Sequence, residues 1–77
     1  MREVLTVGHE HQGHKFDVHV TYMPAGYTYF VDIHFPGSEV LQINSGDDIY
    51  KDADRAHHAA RFRAWAVIEE FVKASAP

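Results

Sequence analysis

Lys15-Phe16-Asp17-Val18-His19-Val20-Thr21-Tyr22 alternates between polar and apolar side chains along its whole length. Phe16, Val18, Val20 and Tyr22 fall on one parity, and Lys15, Asp17, His19 and Thr21 on the other. This period of two marks a strand with one face packed and the other in water. The flanking stretches repeat it. Leu5 and Val7 match the core parity before it; Tyr29, Val31, Ile33 and Phe35 match it afterwards, leaving Phe30, Asp32 and His34 outside. Strands are therefore expected over about 3–11, 14–23 and 28–35, with a short fourth over 40–44. Gln12-Gly13, Pro24-Ala25-Gly26-Tyr27 and Pro36-Gly37-Ser38 separate them with turn-forming residues. Links this short favour antiparallel neighbours, hence a meander.

The faces also suggest a register. A two-residue turn at Gln12-Gly13 sets His11 against His14, Glu10 against Lys15 and Val7 against Val18. A four-residue loop from Pro24 to Tyr27 sets Val20 against Val31, His19 against Asp32 and Asp17 against His34. The neighbouring register with the same faces would oppose Asp17 to Asp32, and like charges directly opposite are unfavourable. The first arrangement is the expected one.

After a polar connection from Ser45 to Tyr50 the period changes. Ala56, Ala60, Ala64, Val67, Ile68 and Phe71 recur at three- and four-residue spacing, the packing stripe of an amphipathic helix over about 53–74. Asp52 or Asp54 can cap its start. The fold class is thus α+β: a three- or four-stranded antiparallel meander with one C-terminal helix on one face. The opposite face stays open, with Val4, Thr21 and Phe30 as an expected apolar spot.

Composition narrows the functional classes. The chain has 77 residues, room for one domain, with seven histidines and no cysteine. A domain this small buries roughly 60% of its unfolded surface, so its core is marginal. Without cysteine, disulfides and thiolate zinc sites are excluded. Packing, self-association, or metal held by histidine and carboxylate are left to support it. Eleven acidic residues against seven Lys and Arg give a net charge of −4, which argues against nucleic-acid binding. Protonation of all seven histidines would carry −4 to +3. No apolar run approaches the roughly 20 residues of a membrane span, and Met1 to Val7 lacks the apolar region of a signal peptide. A cytoplasmic protein is expected.

Two clusters are candidates for function. His9, His11 and His14 share one face near the hairpin tip, where directly opposed Cβ atoms lie about 5 Å apart. Imidazoles so placed are candidate ligands for zinc, nickel or copper. On the helix, Phe62 lies nearly opposite the packing stripe, Trp65 lies at its margin, and His58 and Glu69 lie beside them. An indole flanked by Arg61 and Glu69 has the anchor-and-rim character of a protein contact. His57 borders the stripe and is expected to be partly buried. His19, Asp32, Asp17 and His34 form a chequerboard of charge on the outer face, where cross-strand pairing is the expected role. No catalytic residue is assigned: nucleophile elbow, HExxH and Gly-rich phosphate loop are all missing from the sequence.

From Tyr27 to Val72 a strand, Phe35-Pro36-Gly37, another strand and an alanine-rich helix follow in an order that resembles HicB-type antitoxin domains. That resemblance implies a small toxin as a protein partner. The connection from Gly37 to Asp52 is longer here, and Asp54-Arg55-Ala56 stands where that family opens its helix with Glu-Ala. The stretch also carries no DNA-binding extension. Taken whole, the chain is similar to small β-rich single-helix proteins of Burkholderia-type bacteria, which implies a bacterial source and no particular activity. The expected function is a non-enzymatic interaction module, self-associating or partner-binding through His58, Phe62, Trp65 and Glu69, with no cofactor. The alternative is a transition-metal-binding or pH-responsive module using His9, His11 and His14.

Overall fold

The computed structural model of the chain describes residues 2–37 and 39–75; Met1, Ser38 (the end of one expected turn), Ala76 and Pro77 lie outside the described residues. The elements are β1 (Arg2–His11), β2 (His14–Met23), β3 (Gly26–His34), β4 (Leu41–Asn44) and α1 (Ala53–Ser75). The strands form one antiparallel sheet in the order β1-β2-β3-β4, and α1 packs on one face. This is the expected α+β architecture. No helix among the described residues is long and apolar enough to cross a membrane.

The turn between β1 and β2 works as its residues suggest. Gln12 and Gly13 have φ of 50° and 80°, the pair of positive values that a type I′ turn needs to match strand twist. His11 therefore pairs with His14, Glu10 with Lys15 and Val7 with Val18. Further along β1 the register shifts between Glu3 and Leu5, leaving Val4 as the extra residue of a bulge. The shift puts Glu3 on the outer face, where it accepts from Thr6 Oγ1 and meets His19.

Between β2 and β3 the expected register is corrected. Met23 pairs with Gly26, so the loop is Pro24-Ala25 alone and β3 begins two residues early. Val18 faces Val31, His19 faces Phe30, and Asp17 directly faces Asp32. The like charges are tolerated because each aspartate has a histidine on its diagonal. His34 Nε2 lies 3.2 Å from Asp17 Oδ2, and His19 Nε2 lies 3.2 Å from Asp32 Oδ2. Diagonal neighbours remain within reach of long side chains, so the chequerboard forms in the register that direct opposition alone disfavours.

The core is the inner parity of the two central strands against a narrow helix stripe. Phe16, Val18 and Val20, together with Tyr29, Val31 and Ile33, are buried beneath Ala56, Ala60, Ala64 and Ile68. Alanine at three successive contact turns lets the helix axis approach the sheet closely. Tyr22, on the core parity, is instead exposed and pairs with Tyr27. It lies along β2 past the start of α1, so nothing covers it from the helix. Asp52 supplies the cap: its Oδ1 accepts from the Arg55 amide at 2.8 Å, and its carbonyl accepts from Ala56.

The connection from Ser45 to Tyr50 is anchored to β3. Tyr27 and Tyr50 exchange backbone hydrogen bonds of 2.9 and 2.8 Å. This crossing requires glycine at position 26, where φ is 143°: a Cβ there would lie 2.6 Å from Ile49 Cγ2 and 2.8 Å from the Tyr50 carbonyl oxygen. Gly26→Ala should therefore cost about 1–3 kcal/mol, read as a lowered urea midpoint. Unchanged stability would mean that Tyr50 does not cross β3 so closely.

Candidate functional site

Parity places His9 and His11 of β1, and His14 of β2, on the face that α1 covers. The helix runs toward the hairpin tip, so each ring meets a different part of it. His9 stacks on Phe16, with centroids 5.2 Å apart, and meets the His57 ring end-on, with centroids 5.0 Å apart. His11 lies on Trp65 at 5.2 Å, and its Nε2 is 3.4 Å from the Glu69 carboxylate, an electrostatic contact without hydrogen-bond geometry. His14 presents its ring to Phe35 and Phe71 at 5.4 and 5.5 Å. The three rings share a face as expected, but the structure does not bring them onto one point. Among the described residues no group of three or more His, Cys, Asp or Glu is arranged to hold a metal ion.

What the structure does bring together is His9 and His57, with their Nε2 atoms 2.8 Å apart. Sequence reading placed each of them correctly, one on the inner face of β1 and the other at the border of the helix stripe. It missed their contact because they stand far apart in the chain. Burial pushes the His9 ring below the ordinary histidine range, and the neighbouring His57 and Arg61 push it the same way. Burial likewise lowers His57, with Arg61 and His58 adding to it and Asp54 opposing.

On the outward flank of α1 the expected contact residues form a continuous row. The Phe62 ring meets His58 edge-on at 4.8 Å and Trp65 at 5.6 Å. Trp65 is half-buried, with His11 on one side and the Arg61 guanidinium 5.0 Å from its ring centre. Glu69 turns toward His11. Phe62 remains 56% exposed; the Ser45–Tyr50 segment crosses to β3 and does not cover it. Phe62 forms one wall of an open, shallow groove of about 720 Å³ that Tyr50, Asp54, His57, His58 and Ala59 also line. Tyr50 belongs to this surface and was not anticipated, because it reaches it only through the crossing at Gly26; Asp54 stands one turn before His58 on α1 and was read only as a candidate cap.

The open sheet face holds the charge chequerboard. His19 is held between two carboxylates, Glu3 through Nδ1 at 2.9 Å and Asp32 through Nε2 at 3.2 Å. Phe30 stacks on its ring at 4.4 Å. Hydrogen bonds from Thr6 and His19 hold the Glu3 carboxyl below its usual range. Gln42 of β4 donates to Asp32 at 2.9 Å. The expected apolar spot is broken up: Thr21 is buried and bonds Thr28 at 2.7 Å, Phe30 lies under His19, and Val4 stands at the bulge. Exposed pairs of this kind contribute little individually. They tie β1, β2, β3 and β4 together across the face the helix leaves bare.

The His9–His57 pair carries a pH signature. Both rings bind protons less readily in the folded chain than in the unfolded one. As pH falls below the ordinary histidine range near 6.5, the unfolded chain takes up protons first and the fold loses stability. Above that range neither state is protonated, and the pair adds no pH dependence. The urea midpoint should therefore drop between about one unit above and about one unit below that range, and His57→Gln should make the drop smaller. A drop of the same size in His57→Gln would show that other groups cause it.

No protein-family model matches the chain, and no curated protein or solved structure matches it.

Proposed function

We propose that this chain is a small non-enzymatic interaction module that binds through the outward flank of α1, with a second copy of itself as the occupant. The observation that carries this is Phe62, a large apolar ring standing 56% exposed at mid-helix among the aromatic neighbours His58 and Trp65. Phe62 adjoins a groove of about 720 Å³. A twofold contact needs a surface that complements itself. A projecting ring next to a groove on the same flank has that property: the Phe62 of each copy can enter the groove of the other. Trp65 forms the half-buried base of the patch, and Arg61 and Glu69 form its polar edge, as in contact surfaces with an aromatic centre. The histidines of the opposite face are engaged with carboxylates on an open sheet, a setting that neither encloses a substrate nor excludes water.

Phe62→Gln tests this most cleanly, because Phe62 contributes little to the core while Trp65 packs on His11. Sedimentation equilibrium of the wild-type chain should show a monomer–dimer equilibrium. Phe62→Gln should weaken it at least tenfold, about 1.4 kcal/mol, with the thermal midpoint unchanged at dilution, where both chains are monomeric. A wild-type chain that stays monomeric at millimolar concentration would overturn self-association, as would a Phe62→Gln chain that dimerises like the wild type.

A further inference from the structure

We infer that the bare face of the sheet carries a binding cleft for a neutral saccharide ring, built by β2, β3 and β4 near the Pro24-Ala25 turn. The cleft is open to solvent and has a volume of about 480 Å³, in the ordinary range of small-molecule sites. Thr21, Thr28, Phe30, Gln42 and Asn44 line it from the outer parity of their strands, and Ser45 follows directly on β4. Charged residues make up 23% of the chain, yet of the nine described residues that line this cleft none is charged. A charged ligand would meet no counter-charge there. The lining fits a neutral, polar one.

The polar groups of the cleft are held by the protein, and each keeps bonding capacity to spare. Thr21 is buried, and its hydroxyl shares a hydrogen bond of 2.7 Å with that of Thr28. Two hydroxyls carry two hydrogens and only one lies between them, so the other can be donated to a ligand. Asn44 Oδ1 accepts from the Gly46 amide at 2.8 Å, which fixes the side chain and leaves Nδ2 as a donor. Gln42 Nε2 donates to Asp32 at 2.9 Å, which leaves Oε1 as an acceptor. Donors and acceptors set side by side suit hydroxyl groups, which act as both. Phe30 supplies the apolar part. His19 stacks on one face of its ring at 4.4 Å with the planes 13° apart. The other face is therefore turned away from β2, toward β4, where Phe30 pairs with Asn44. The C–H face of a pyranose complements the negative face of an aromatic ring, while its hydroxyls reach the amides at the edge. A nucleobase would leave its second flat face uncovered, because Tyr29, the other aromatic residue of the lining, is buried in the core.

The site is tested by titrating the intact chain with methyl glucoside, methyl galactoside and methyl N-acetylglucosaminide while recording amide spectra. At least one of these sugars should move the side-chain amide signals of Gln42 and Asn44 and the backbone signal of Gly46, with millimolar or tighter affinity. Saturating the Phe30 ring protons should transfer magnetisation to the sugar C–H protons, a readout that needs no variant. Phe30→Leu and Asn44→Ala should each weaken binding about fivefold or more. Phe62→Gln lies on the helix side of the sheet and should leave binding unchanged, so the cleft stands or falls separately from the contact surface of α1. The site is overturned if none of the three sugars moves these signals at tens of millimolar, or if glucuronate or adenosine binds more tightly than all of them. Wild-type affinity in both cleft variants, or affinity lost in Phe62→Gln, would overturn it equally.

Discussion

The close approach of α1 to the sheet is the constraint on which the other features depend. Ala56, Ala60 and Ala64 have no side chain beyond Cβ, so the helix settles directly onto Val18, Val20, Val31 and their neighbours. Larger residues at those positions would lift it. With the helix low, the edge strand β1 lies alongside its flank instead of beneath it, and His9 and His11 reach sideways to His57 and Trp65. The same rotation that buries the alanines turns Phe62 outward. Core, histidine seam and exposed aromatic row all follow from one helix position.

A seam of imidazoles is an unusual way to close the edge of a small core. Each ring packs its carbon surface against aromatic neighbours, face to face on Phe16 and Trp65 and edge-on to Phe35 and Phe71, and each carries nitrogen atoms that a leucine would not. The cost is proton sensitivity, because charging the His9–His57 pair places two cations in contact in a partly buried gap. The outer histidines His19 and His34 are placed differently, each with a carboxylate oxygen within 3.2 Å of a ring nitrogen. The two faces of one sheet therefore use the same residue type in different electrostatic settings.

Much of the architecture was legible because period two and period 3.6 are sharply separated in this chain. Phe16 to Tyr22 cannot present one apolar face as a helix, and Ala56 to Ile68 cannot do so as a strand. The β1–β2 register was legible because a two-residue turn with Gly13 permits only one pairing. The β2–β3 register was not, because the rule against opposed like charges was applied to Asp17 and Asp32 without weighing diagonal histidines. At the candidate surface, the exposure of Phe62 followed from helix phase alone. The groove beside it did not, since it depends on the passage of Tyr50 over Gly26, which leaves no periodic trace. The His9–His57 contact joins two residues that parity and phase had each located, and their convergence is visible only once the height of the helix above the sheet is known.

The position of α1 is tested most directly by nuclear Overhauser effects among ring protons in the intact chain. The His9 and His57 rings should show a strong mutual effect, the His11 ring should connect to Trp65, and the Phe62 ring should connect to His58 and Trp65 but to no strand residue. Effects joining Phe62 to Val18, Val20 or Val31, with none between His9 and His57, would mean that the helix lies rotated on the sheet, and would contradict both the histidine seam and the exposed aromatic flank.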